Sequence, residues 1–459
     1  MRFILPVLML LAFSCASTES KKSATDSVVP VVAAKPEFKK GDLTTLYVTG
    51  DPSNSFTVYL PSDFDSTKKY PLVVFFDPHA DGSLPLNKYK SLAEKWGFIF
   101  AGSNTSKNGM TPDQTMKIGN ALIGEMTRII NVEKSEIILC GFSGGARVAS
   151  NLALTRPDIK ALICNSAAPS QPVNGKTFVG LAGLGDMNYL ELKKFVDAQK
   201  KMGYKAPEEL LPYEGNHEWA PEAIMEDALL ITGCYQESGA YAGKDSLMAI
   251  ALEKNLLKQA DEIKKASCLI ESAYLETGIR CTRELYSPNE LVNRNDKLRQ
   301  TSCFINDVDA WLKAESEENQ LQQELASALM SQDTTWWKIN SPKYFESKKQ
   351  GADKFMHQRL RGYASLMCYS YANQAFKSNN LHAAEKLVAV YAIVDPENSE
   401  WAYMRANLYM QIGLNDYALN SLEKAASLGF KDKIRLQNDP VFAPLRNDPR
   451  FAALLGKMI

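Results

Sequence analysis

The sequence predicts an α/β domain, a mostly parallel sheet with helices on both faces, followed by an all-α domain of helical repeats. Three observations carry this expectation. Strand-like and helix-like runs alternate up to about Gly233, no convincing strand signal follows about Glu218, and a 34-residue spacing recurs near the C-terminus. At 459 residues the chain is long enough for two or three domains with their own cores. Its 52 basic residues balance 53 acidic ones, so charge gives no reason to expect a nucleic acid or an acidic membrane as partner.

The N-terminus reads as an export signal: Arg2 supplies positive charge, and residues 3–13 form an apolar run too short to span a bilayer. Ala12-Phe13-Ser14-Cys15 resembles a bacterial lipoprotein processing site, which would lipidate Cys15, although Leu is usual where Ala12 stands. Ordinary cleavage after Ala16 is the competing reading. Residues 16–40 are rich in Ser, Thr, Lys, Val and Pro without periodicity, as suits a flexible tether behind a lipid anchor.

Strands are expected at 55–60 and 71–76, the second a continuous apolar run typical of a parallel strand buried on both faces. A helix at 86–96, a strand at 97–101, a helix at 115–130 and a strand at 136–140 follow. Then come a helix at 146–155 closed by Arg156-Pro157, strands at 161–164 and 178–182, a helix at 189–202 and a strand at 208–213. This places the α/β domain at 41–233 behind a signal at 1–15 and a tether at 16–40. A helical segment is expected at 234–364 and helical repeats at 365–459. The repeats rest on Ala372, Asn379, Ala384 and Val388, matched 34 residues later by Ala406, Gly413, Ala418 and Leu422. That small–turn–small–bulky order, with Pro396 between units, resembles tetratricopeptide repeats. Two short Asp-Pro-x-Phe runs, at Asp439 and Asp448, close the chain.

Of eight cysteines, Cys140 and Cys164 lie in strand-like apolar runs and are expected as buried free thiols. An exported chain can pair the others, in an order that spacing does not reveal. No CxxC or Cys/His spacing suggests a metal, and no metal or cofactor is expected.

Gly141-Phe142-Ser143-Gly144-Gly145 matches GxSxG. The pentapeptide alone is weak, but a short apolar strand precedes it and an Ala/Val/Leu-patterned helix follows. This is the context of a nucleophile elbow, where side chains at the flanking positions would collide with neighbouring backbone. Serine needs a base at neutral pH, and the chain holds His79, His217, His357 and His382. An elbow of this kind is followed along the chain by its acid and then its histidine. His79 precedes the serine, and His357 and His382 lie in the helical half, which leaves His217 in Gly215-Asn216-His217-Glu218-Trp219. The acid expected is Asp186, after a strand and in a Gly-rich turn; Asp158 and Asp197 end no strand. Arg147 reads as a structural ion-pair partner.

These residues, with Tyr59-Leu60-Pro61 ahead of the strand at 71–76, resemble the α/β-hydrolase family, especially esterases of the polyhydroxyalkanoate-depolymerase and feruloyl-esterase type. The likeness spans residues 46–223. It implies an ester hydrolase with Ser143 as nucleophile, His217 as base and Asp186 as orienting acid. In that family a His-Gly after the central strand helps form the oxyanion hole; here Asp77-Pro78-His79-Ala80 stands instead, and Pro78 has no N–H. Donors are therefore expected from Gly144 and from the amide of His79, or of Asp77. Asp77, Phe142 and Asn104 are weaker candidates for the substrate pocket, and a plain polar turn is the competing reading of Asn104. A peptidase shares the same machinery. A non-catalytic surface lipoprotein, binding a protein or polysaccharide through its helical repeats, is the alternative from another class. The helical half interrupts no hydrolase element and reads as an appended module.

Overall fold

The computed structural model describes residues 38–203, 206–234, 245–282 and 288–458. The expected export signal, Cys15 and most of the tether lie outside them. An eight-stranded sheet is built from β1 (Leu43–Val48), β2 (Asp51–Tyr59), β3 (Tyr70–Phe76), β4 (Ile99–Ser103), β5 (Val132–Phe142), β6 (Ile159–Asn165), β7 (Thr177–Gly183) and β8 (Glu208–Tyr213). Their spatial order is β1-β2-β4-β3-β5-β6-β7-β8, with β1 and β2 antiparallel and the remaining strands parallel. That order, with an antiparallel start and a parallel body, is the α/β-hydrolase architecture expected from the sequence.

The apolar run of β3 sits at the centre, and Leu72 through Phe76 are wholly buried. Successive residues face opposite sides. Phe75 meets Tyr89 of α1 (Ser83–Trp96), whereas Phe76 lies over Gly119 of α2 (Pro112–Ile129). α3 (Gly144–Thr155) packs beside α2 and is tied by Arg147–Glu191 to α4 (Tyr189–Met202); α5 (Glu222–Cys234) packs beside α1. Arg147 thus takes the ion-pair role expected of it. The start of α2 lies earlier than its apolar stripe suggested, because Thr111 and Gln114 form a capping box around Pro112. β1 was invisible to an apolar-run reading because it is a half-exposed edge strand with alternating burial.

After Tyr213 the described residues contain only helices and turns. α6 (Asp245–Ile263), α7 (Cys268–Thr282), α8 (Asn289–Arg299), α9 (Ser302–Ser331), α10 (Thr334–Phe345) and α11 (Ala352–Lys377) come first. α12 (Leu381–Val394), α13 (Ser399–Gln411), α14 (Asn415–Ser427), α15 (Lys433–Asn438) and α16 (Pro449–Lys457) complete the chain. α7 covers the otherwise open edge of the sheet: Tyr274 donates to the Pro212 carbonyl, and Thr277 and Arg280 both bond the buried Glu209 carboxylate. A disulfide between Cys268 and Cys303 joins α7 to α9, while Cys140 and Cys164 are buried thiols.

The 34-residue spacing corresponds to two helical hairpins, α11–α12 and α13–α14. Asn379 and Gly413 take the left-handed turn (φ 54° and 78°), and Ala372, Ala384, Ala406 and Ala418 are wholly buried where helices approach. A division at 364/365 falls inside α11, so the first hairpin cannot be separated cleanly from the segment before it. Asp439 and Asp448 each cap a turn by accepting the amide two residues on.

Candidate active site

β5 and α3 meet at Ser143, whose backbone adopts φ 51°, ψ −119°. A serine held there costs about 1–3 kcal/mol and persists only if its surroundings enforce it. The enforcement is visible. A Cβ on Gly141 would run into the Gly145 carbonyl oxygen, and one on Gly145 into the Phe76 carbonyl oxygen of β3. The Ser143 amide donates to the Asn165 carbonyl at 2.8 Å, and its own carbonyl receives the Ala146 amide that starts α3. The chain therefore turns sharply above the parallel strands' C-terminal ends, with the hydroxyl outward.

His217 lies in the loop from β8 to α5, one quarter exposed. Its Nε2 is 3.0 Å from Ser143 Oγ and its Nδ1 is 3.0 Å from Asp186 Oδ1. Asp186, wholly buried, ends the turn after β7; Oδ1 also receives the Asn188 amide at 2.8 Å. The three residues singled out in the sequence are thus drawn into one line by the ends of β5, β7 and β8. An outward hydroxyl bonded to an imidazole, itself bonded to a buried carboxylate, is the arrangement that activates a nucleophile by general-base catalysis.

The imidazole is held from below. Phe142 packs its ring 4.8 Å from that of His217 and 5.5 Å from Trp219. Asn165 spans the loops, its Nδ2 donating to the Glu218 carbonyl and its Oδ1 receiving the Ala220 amide at 2.7 Å. Trp219 Nε1 donates to Asp77 Oδ2 at 2.9 Å, tying the histidine loop to the loop after β3.

Several of the secondary expectations need correction. The amide of His79 donates to Asp77 Oδ1 at 2.8 Å, closing an Asx turn, so it is already committed and does not stand free as an oxyanion donor. Asp77 is buried and spent on His79 and Trp219; it supports the site from beneath instead of lining a pocket. Burial pushes its carboxyl up, but bonds from His79 and Trp219 outweigh that and hold it below the usual carboxylate value. The adjacent His79 ring is held above the usual histidine value by its bond to Asp77. Phe142 is nearly buried, a floor for the imidazole. Asn104 bridges Thr57 and the Gly82 amide, which is the polar-turn reading.

Two residues escaped the sequence reading. Asn108 follows the bridge between Lys107 and His79, donates its amide to the Pro78 carbonyl at 2.9 Å, and leans its side chain on Gly144. A Cβ at Gly144 would run into Asn108 Oδ1 and lie 2.9 Å from Cγ and 3.3 Å from Nδ2, so the glycine's bareness makes room for that side chain, which turns its carbonyl oxygen toward Gly144. Arg359 of α11 reaches the Leu184 carbonyl, two residues from Asp186, at 2.7 Å. Neither has a local signal, because each acts on backbone far away in the chain. Among the described residues no three His, Cys, Asp or Glu side chains converge as a metal site requires.

No family model and no curated protein matches the chain. Among solved structures it is similar to a feruloyl esterase module from Clostridium thermocellum complexed with sinapinate, at 14% identity and TM-score 0.34, over 39% of this chain and 83% of that one. A hyperthermophilic esterase from the archaeon Pyrobaculum calidifontis is similar at 12% identity and TM-score 0.34, over 47% and 87%. A putative dipeptidyl aminopeptidase IV from Bacteroides ovatus is similar at 16% identity and TM-score 0.33, over 42% and 35%. Strand order defines the fold here, and the functional reading rests on the site's own geometry.

Proposed function

We propose that the protein is a serine hydrolase that cleaves carboxylic esters through an acyl-enzyme on Ser143. The observation that carries this is the Ser143–His217–Asp186 line, with both bonds at 3.0 Å and the serine on a strained turn. Ser143 Oγ attacks the acyl carbon while its proton passes to His217 Nε2. Asp186 holds the Nδ1–H tautomer and stabilises the imidazolium. The Gly144 amide, at the open N-terminus of α3, donates to the developing oxyanion, and a half-turn of the Asn108 amide, whose Oδ1 faces Gly144 in the free protein, brings Nδ2 round as the second donor in place of His79. The imidazolium then returns the proton to the leaving alkoxide as the C–O bond breaks, and water, deprotonated by His217, releases the acid. An ester suits this site better than an amide, whose leaving group asks more of the general acid.

The chain is further read as an exported lipoprotein anchored through Cys15 in the cell envelope, with secretion as the alternative. The Cys268–Cys303 disulfide supports an oxidising compartment. The tetratricopeptide-like hairpins are proposed to bind a protein or polysaccharide. A non-catalytic binding role draws on one observation, the commitment of the His79 amide to Asp77. A fluorophosphonate probe separates the two: the wild type is expected to label and Ser143→Ala not to. Equal labelling of both, or of neither, overturns the hydrolase reading.

A further inference from the structure

We propose that Arg359, in the helical half, is a positioning residue for the hydrolytic site, so that α11 is part of the working enzyme and not an accessory to it. The inference rests on the serine-hydrolase reading. The Arg359 guanidinium is wholly buried against the adjoining rings of Tyr189, at 5.4 Å, and Trp311, at 5.5 Å. Its Nε donates to Glu318 Oε2 of α9 at 2.8 Å and its Nη1 to the Leu184 carbonyl at 2.7 Å. Leu184 belongs to the Gly183-Leu184-Gly185-Asp186 turn that delivers the acid. The turn's amides are held from the other side: Leu184 N donates to the Tyr213 carbonyl at 2.7 Å and Gly185 N to the Gly215 carbonyl at 2.9 Å. The acid turn is therefore clamped between the histidine loop and α11.

Close packing reinforces the clamp. A Cβ at Gly185 would run into Asn216 Oδ1 and lie 2.7 Å from Gln358 Oε1, so the turn packs closely against both the loop and the helix. Gly362, one turn further along α11, leaves space for Met187. Stability alone does not call for this design, since a buried Arg–Glu pair is on balance no better than apolar residues of like volume. What arginine adds is a directional, charged donor to the carbonyl of the buried Leu184. A displacement of about 1 Å in such a turn is enough to cost on the order of 10²-fold in rate.

The test uses the full chain, a fluorophosphonate and p-nitrophenyl acetate. Arg359→Met is expected to lower the labelling rate and kcat by about 10- to 100-fold, with KM changed less than about threefold. Because Arg359 acts through Asp186, its effect should vanish in an Asp186→Ala background, where Arg359→Met changes kcat less than about twofold. The same penalty in both backgrounds, or wild-type rates in Arg359→Met, overturns the inference. If Arg359→Met does not fold, Arg359→Lys, which keeps the charge but not the fork, and Glu318→Gln carry the same cycle. A wild type that does not label at all overturns the hydrolase reading itself; a wild type that labels beside an equally fast Arg359→Met overturns only the role of Arg359.

Discussion

Gly145→Ala separates helix propensity from the geometry of the elbow. The residue lies in the first turn of α3, where alanine for glycine should by propensity alone stabilise a helix by up to about 1 kcal/mol. The structure reverses that sign. The added Cβ would sit 2.6 Å from the Phe76 carbonyl carbon, inside the 3.0 Å that real Cβ contacts respect, and still closer to its oxygen. That carbonyl belongs to the central strand β3, paired on both sides, so no rotamer change relieves the clash. Overpacking of this kind costs about 1–3 kcal/mol, and a backbone neighbour that cannot give puts the loss near 3. At roughly 2–4 °C per kcal/mol for domains of 150–250 residues, the expected fall in Tm is about 6–12 °C. Gly144→Ala is the internal control. The atoms nearest its methyl are those of the Asn108 amide, on an exposed loop that can give, so Tm should stay within about 2 °C while the displaced amide lowers kcat about 10²-fold. Thermal unfolding by circular dichroism and fluorophosphonate labelling read both effects. A Gly145→Ala protein as stable as wild type, or more so, would refute the account of why this turn is strained.

Asn108→Ala should lower kcat by about 10²-fold with KM little changed, and Asn108→Asp, which offers no donor, should do no better; steady-state kinetics near the wild-type value exclude the side chain as an oxyanion donor. Burial pushes the Asp227 carboxyl well above the usual value. The unfolded chain therefore ionises first, at about pH 3.9, and stability falls as pH rises beyond it. Asp227→Asn should accordingly raise Tm at pH 8 more than at pH 4, and an equal shift at both would contradict the burial argument. Cys268 and Cys303 close a loop of 35 residues. Replacing both with serine should cost about 4 kcal/mol on the chain-entropy view, read as a lowered denaturant midpoint; an unchanged midpoint would show that the link constrains nothing.

Much of the site was legible because its signals are local. The apolar run of β3, the glycines around Ser143 and the glycine-rich turn before Asp186 each report on a backbone within a few residues. The helix at 189–202 appeared with the bounds the sequence suggested. Chain order alone then left His217 as the partner histidine. The loop after β3 was read less well. Pro78 correctly marked it as unable to donate, yet only the folded chain showed that Asp77 consumes the His79 amide. Asn104 and Asn108 stand four residues apart in one polar stretch, and nothing local distinguishes the one that braces Gly82 from the one that reaches Gly144.

The sequence by itself determined the strand and helix periods, the sharp turn at Ser143 and the candidate hydroxyl, imidazole and carboxylate, because side-chain alternation and backbone sterics act over a few residues. Only the tertiary structure decided which amides remain free near Ser143, which cysteines pair, and that a helix 173 residues beyond Asp186 in the chain grips the turn holding it. Those outcomes depend on groups brought together from distant parts of the chain, and a buried carbonyl takes whichever donor the packing delivers.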